Sequence, residues 1–173
     1  MPAPEWSIEA LSCPHHNRKG FTCTAKPLEV YLRCQARQDV EKRIAAVFVL
    51  TPDGHTIAGY YTLSQFSVRL ADIPPETARK LAKYPDVPAT LLGRLAVGDP
   101  YRGQKLGEKL LLDALARSLE HSKGVASFAV IVDAKDESAL GFYRKYGFLA
   151  FPGTNNRLFL PMGTIEQLLT ELK

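Results

Sequence analysis

The 173-residue chain predicts an α/β (α+β) fold, a single domain over residues 1–173 in which a mixed central sheet is flanked by helices. Three observations carry that expectation. Residues 44–63 read as an antiparallel hairpin. A nearly all-apolar strand at 91–97 passes through a short, basic, Gly-rich turn directly into an amphipathic helix. A further strand at 127–132 is followed by a helix capped at Asp136 and by two closing strands. The length suits one domain with a substantial core, and 46% hydrophobic with 23% charged residues lies in the ordinary globular range.

Taken in order, residues 1–27 hold four prolines and the His15-His16-Asn17-Arg18-Lys19 cluster with few periodic positions, so they read as an irregular lead-in with one short element at most. A helix follows Pro27, with Leu28, Tyr31 and Leu32 on one face and Arg33 and Arg37, four apart, on the other. The runs Ile44–Leu50 and Thr56–Leu63 are strands joined by Thr51-Pro52-Asp53-Gly54-His55, where Pro presets the turn and Gly accepts positive φ. Gly59 inside the second strand marks a bulge or a close backbone approach. Residues 64–90 are expected to form a long connection, with a short helix starting at Pro74-Pro75-Glu76 and ended by Pro85 and Pro88. Arg79 and Lys83 are again four apart there, with Lys80 beside them.

The strand Leu91–Val97 reads as central and buried on both faces, except at Arg94, which needs a partner or an exit to solvent. Leu106, Leu110, Leu111, Ala114, Leu115 and Leu119 then form the apolar face of a helix reaching Glu120, and Lys123-Gly124 ends it. Asp136 caps the next helix, on which Ala139, Phe142, Tyr143 and Tyr146 share a face, and Gly147 stops it. Residues 148–151 and 157–160 read as a last pair of strands, and 164–169 as a terminal helix.

The net charge of +4 is spread over both halves of the chain, so a polyanion site has to come from clustering in three dimensions. The longest apolar run, 44–50, is far short of the ~20 residues of a membrane helix, and the start lacks the basic and apolar regions of a signal peptide. A cytoplasmic protein without membrane contact is expected. Three cysteines in odd number without a CxxC spacing point to reduced thiols. Cys13, His15, His16 and Cys23 lack a usual ligand spacing, so no metal site is expected.

The chemistry concentrates at residues 94–112. A helix start leaves up to four N–H groups without intrahelical partners and carries about half a positive charge, so a diphosphate is held there mainly by main chain. Arg102 and Lys105 add side-chain charge, and the glycines at 103 and 107 permit close approach.

Arg102-Gly103-Gln104-Lys105-Leu106-Gly107 resembles the acyl-CoA pyrophosphate motif of the GNAT acetyltransferase superfamily, Arg/Gln-x-x-Gly-x-Gly/Ala, and residues 139–148 (ALGFYRKYGF) resemble that superfamily's late helix. Lys105 departs from the motif's central Gly. The resemblance implies the GNAT fold, with the sheet splayed at the acetyl-CoA site. It also implies acetyl-CoA as cosubstrate, held by the main chain of Leu95, Ala96 and Val97, by Arg102, Gly103, Gln104, Lys105, Leu106 and Gly107, and by Phe142.

A narrower likeness rests on His16-Asn17-Arg18 with Phe21 and Cys23, on residues 59–63, on 92–97 and on Phe159-Leu160-Pro161. These are similar to the GNAT toxins of bacterial toxin–antitoxin pairs. That resemblance implies acetylation of the α-amine of aminoacyl-tRNA, a block of translation, a ribbon-helix-helix antitoxin as partner, and a homodimer as an option common in the group. Asn17 stands where Asp is common. Asp133 stands where the toxins often carry His, and an acid there works against an anionic RNA.

An amine attacks a thioester only as the free base, and an α-amine, with a reference pKa near ~7.7–8.0 against ~10.4 for lysine, barely needs a catalytic base. The sequence offers no Glu or His in an evidently catalytic setting, which suits such a substrate. The departing CoA thiolate needs a proton or a hydrogen bond. Tyr143 is the candidate general acid, by the resemblance and by phenol chemistry; by pattern alone it is a core aromatic.

Arg94, Arg33, Arg37, Arg79, Lys80 and Lys83 are candidate RNA phosphate contacts, each read alternatively as an ordinary surface charge or ion pair except Arg94, whose strand position makes a plain solvated role less natural. Two other readings of the chain stand beside the toxin. One is a GNAT enzyme for a small-molecule amine or a protein N-terminus, and the other is a non-catalytic acyl-CoA-binding module.

Overall fold

The structure is a computed structural model that describes residues 3–81 and 83–172. Seven strands form one open sheet in the order β1-β2-β3-β4-β5-β7-β6. The strands are β1 (Ser7–Ala10), β2 (Ala46–Thr51), β3 (Gly59–Arg69), β4 (Asp86–Val97), β5 (Ala129–Asp133), β6 (Leu149–Ala150) and β7 (Arg157–Pro161). The helices are α1 (Lys26–Val30), α2 (Ala36–Glu41), α3 (Pro75–Ala78), α4 (Leu106–His121), α5 (Glu137–Lys145) and α6 (Met162–Glu171). A π-helical segment, Tyr31–Gln35, joins α1 to α2. Helix α4 connects the sheet neighbours β4 and β5, and β1–β2, β2–β3, β5–β7 and β6–β7 are antiparallel pairs.

The expected hairpin is β2–β3, in register from Ala46 opposite Leu63 to Leu50 opposite Gly59. Its turn is organised by one carboxylate, since Asp53 Oδ1 accepts from the His55 and Thr56 N–H groups at 2.8 and 2.7 Å. Gly54, at φ +79°, supplies the left-handed residue.

The one short element of the lead-in is β1, which pairs antiparallel with β2 from Ser7 opposite Thr51 to Ala10 opposite Phe48. It is anchored by the buried His16, whose Nδ1 accepts from Ser12 N–H at 2.9 Å and whose Nε2 lies 2.7 Å from Glu9 Oε1. The connection 64–90 is much shorter than expected, because β3 runs on to Arg69 and β4 already starts at Asp86. Pro88 therefore lies inside a strand; its side chain is exposed, and its carbonyl still accepts from Phe128 N–H at 2.9 Å. The stretch 91–97 is not buried on both faces: Leu92 and Ala96 are buried while Gly93 is exposed. On α4 the small Ser118 is buried and Leu119 only half-buried.

The chain divides into two compact units, Met1–Ser64 with Leu92–Ala114, and Gln65–Leu91 with Leu115–Lys173. The first has its core around Phe21, Leu32, Val47, Val49, Tyr60 and Ala96. The second has its core around Val68, Ile73, Ala129, Ile131, Phe151 and Phe159. No helix among the described residues is long and apolar enough to cross a membrane.

Candidate active site

In the first unit, β4 ends where Gly98 N–H donates to Ala58 O at 2.7 Å and Asp99 N–H to Thr22 O at 2.9 Å. A 3₁₀ turn, Asp99–Tyr101, follows. Asp99 Oδ1 accepts from the Thr24 N–H at 2.9 Å and the Thr24 hydroxyl at 3.0 Å, with Arg102 Nε 3.5 Å away. These donors, the Thr24 N–H foremost, hold the Asp99 carboxyl below its ordinary range. Asp99 and Thr24 thus tie the turn to the lead-in, a role the sequence reading missed because the two residues are 75 positions apart.

Arg102, Gly103, Gln104 and Lys105 are exposed, and buried Leu106 begins α4. Two residues of this short run are left-handed, Gly103 at φ +82° and Lys105 at φ +58°. The conformation is free for Gly and costs a lysine ~1–2 kcal/mol. The departure at Lys105 therefore falls where the backbone asks for glycine.

The chain packs tightly behind the turn. A Cβ on Gly59 would stand 2.8 Å from Ala96 O and 2.9 Å from Leu110 Cδ1, so the close approach expected at Gly59 lies against the 95–97 main chain. Arg94 has its guanidinium 3.5 Å from the centre of the Tyr31 ring, a cation–π contact that supplies the partner its strand position demands. Tyr31 in turn donates to Asp39 Oδ2 at 2.7 Å, and Gln35 Nε2 donates to Asp39 Oδ1 at 2.9 Å. Those two bonds, Gln35's foremost, outweigh burial and lower the Asp39 pKa, whereas burial raises that of Tyr31. Arg33 Nε donates to Phe21 O at 2.9 Å, and exposed Arg37 pairs with Glu41 at 2.9 Å.

In the second unit, Asp136 accepts from Ala139 N–H at 2.8 Å, the expected cap of α5, and Gly147 at φ +95° ends that helix. Tyr143 is buried in an aromatic nest, edge-on to Phe142 and Phe148 with ring centres 5.3 and 5.4 Å away. Burial pushes its phenol up to about 12. Arg79, Lys80 and Lys83 are exposed.

Asp133 and Arg157 lie opposite each other in the β5–β7 register and form a two-bonded ion pair, Nε–Oδ1 2.8 Å and Nη2–Oδ2 3.1 Å. The acid that stood against an anionic partner is thus neutralised by an arginine 24 residues away. No group of His, Cys, Asp and Glu among the described residues is arranged to hold a metal.

Residues 12–148 match the model of the acetyltransferase (GNAT) family. A tRNA-acetylating toxin of Mycobacterium tuberculosis is 33% identical over 150 residues, covering 86% of this chain and 88% of the relative. The structure of AtaT complexed with acetyl-methionyl-tRNAfMet superposes with a TM-score of 0.86 at 29% identity, over 95% of this chain and 99% of AtaT. A tyrosine-to-phenylalanine mutant of AtaT, bound to the C-terminus of the antitoxin AtaR and to acetyl-CoA, gives 0.81 at 26% identity, over 95% and 98%. The match spans both the turn at 99–107 and the helix that bears Tyr143, and this chain belongs to the GNAT acetyltransferase family.

Proposed function

We propose that this enzyme transfers the acetyl group of acetyl-CoA to the α-amine of aminoacyl-tRNA, blocks translation in the cytoplasm and is restrained by a ribbon-helix-helix antitoxin. The observation that carries the reading is the 33% identity to a tRNA-acetylating toxin over 86% of the chain. The likeness to AtaT with its acetylated tRNA, and to AtaT with its antitoxin and acetyl-CoA, agrees with it.

In this reading the turn 102–107, exposed at 102–105, takes the CoA diphosphate through main-chain N–H groups, with Arg102 and Lys105 adding charge. The main chain of Leu95, Ala96 and Val97 supports the thioester carbonyl, and Phe142 lies against the cofactor chain. The free α-amine attacks the carbonyl carbon; the C–N bond forms, the C–S bond breaks, and the electron pair leaves on sulfur. Tyr143 donates its O–H to that sulfur.

With its pKa at about 12 the phenol stays protonated at every working pH. On reference values, complete transfer from a phenol of pKa ~10 to a thiolate of pKa ~8.5 is uphill by about 2 kcal/mol, and burial raises both groups alike. Tyr143 therefore acts by hydrogen bonding, and the proton that finally neutralises the thiolate is the one the amine loses. Arg37, Arg79, Lys80 and Lys83, with Arg94 and Arg33, are the phosphate contacts of this reading.

The test is expression with and without Tyr143→Phe, followed by mass analysis of tRNA-linked amino acids. The wild type should arrest growth and leave N-acetylated aminoacyl-tRNA, and the variant should do neither. A wild type that acetylates free amines but leaves growth and every charged tRNA untouched refutes the proposal.

A further inference from the structure

At the C-terminal end of β5 a guanidinium plane is fixed from two sides. Arg157 is bound edge-on by both oxygens of Asp133, and its Cζ lies 5.1 Å from the centre of the Phe66 ring. The pair is only partly covered, with 38% of the Arg157 side chain and 45% of that of Asp133 exposed. The Asp133 bonds, first among the causes, also raise the Arg157 pKa.

Holding a long arginine side chain in one orientation at a half-open site costs rotamer entropy, and an exposed ion pair by itself returns little of it. What the arrangement provides is a flat, oriented surface whose charge is already cancelled. Such a surface suits a planar neutral group better than a phosphate, because the paired charges leave no net attraction for an anion while a guanidinium plane stacks on bases. Its place fits a substrate. In open α/β sheets ligands gather beyond the carboxyl ends of strands, and here Asp133 lies three residues before the Asp136 cap of the helix bearing Tyr143.

We infer that Phe66, Asp133 and Arg157 form a shelf on which the terminal nucleobase of the aminoacylated acceptor stacks. The inference rests on the aminoacyl-tRNA reading and adds a specificity element to it. Phe66 and Asp133 are positioning residues, and Arg157 is the residue that touches the base.

Three acceptors of one amino acid separate the possibilities: alanine methyl ester, which has no base; the alanyl ester of adenosine, which has a base and no phosphate; and alanyl-tRNA. In the wild type the adenosine ester should have a KM about 10-fold below that of the methyl ester, the size of one stacking contact. Arg157→Lys, which keeps a cation opposite Asp133, should raise KM about 10-fold for alanyl-adenosine and alanyl-tRNA. Its kcat values and its rate on the methyl ester should be unchanged. Phe66→Leu should raise the same two KM values a few-fold.

Equal wild-type KM values for the two small esters overturn the shelf. So does an Arg157→Lys effect confined to alanyl-tRNA, which marks a phosphate contact, or one shared equally by all three acceptors, which marks a structural role. If the wild type acetylates both small esters but no charged tRNA, the tRNA reading fails, and the ester comparison still decides the shelf.

Discussion

The turn at 99–107 and the helix around Tyr143 solve opposite problems. The turn is exposed at 102–105, and its proposed ligand contacts are largely main-chain N–H groups, so several weak, interchangeable donors share the work. The Tyr143 phenol is buried among Phe142 and Phe148, and the proposed chemistry hangs on one hydroxyl. Binding built the first way degrades gradually under substitution; catalysis built the second way fails at one atom.

The largest effect is therefore expected at Tyr143. Replacing it with Phe keeps the ring packing and removes the O–H, so kcat should fall by about 10²–10³ while KM for acetyl-CoA stays within about 2-fold. The pH profile sharpens the assignment. The active form of Tyr143 is protonated, and burial has raised its pKa to about 12, so the donor is present below that value and lost above it. The wild-type rate should rise as the acceptor amine deprotonates near pH ~7.7–8.0 and then stay level to the highest pH the fold survives. A fall centred near pH ~10 would show a phenol at its reference value and remove the buried donor from the mechanism.

A stability effect of intermediate size is expected behind the turn. In Gly59→Ala the new Cβ would meet Ala96 O at 2.8 Å, a backbone atom that yields only if β3 and β4 shift. The cost should be about 1–3 kcal/mol in chemical denaturation. Acetyl-CoA affinity should drop with it, because the 95–97 main chain is the part displaced. Unaltered stability would mean that the approach at Gly59 relaxes without cost.

These two regions were also unequally legible in the sequence. The turn announces itself locally, with apolar strand, glycine and basic residues, and then a helix with leucines at 106, 110 and 111, all within twenty positions. Tyr143 does not, since a tyrosine on an apolar helix face reads equally as core, and it is core as well, buried among Phe142 and Phe148. The strand character of the short element in the lead-in, the extension of β3 to Arg69 and the early start of β4 were not legible because each depends on pairing with distant residues, and Pro88 argued against a strand although its side chain is exposed and its carbonyl still accepts from Phe128 N–H. The Asp133–Arg157 pair is set by cross-strand register, which no local spacing shows.

The smallest and most diagnostic change is at Lys105, where charge and backbone geometry pull in opposite directions. The residue sits at φ +58°, so glycine would relieve ~1–2 kcal/mol of left-handed strain. Glycine also adds about 0.5–1 kcal/mol of unfolded-state entropy cost, which leaves a net stabilisation of about 0.5 kcal/mol and a Tm higher by about 1–2 °C in a chain of this length. Removing the ammonium should at the same time weaken acetyl-CoA binding about 2–5-fold, the scale of one exposed charge contact. Lys105→Ala separates the two effects: it loses the same charge but keeps the strain, so its affinity should fall equally while its Tm does not rise. If Lys105→Gly instead binds acetyl-CoA more tightly than the wild type, backbone approach rather than charge limits the turn, and the lysine ammonium is not a phosphate contact.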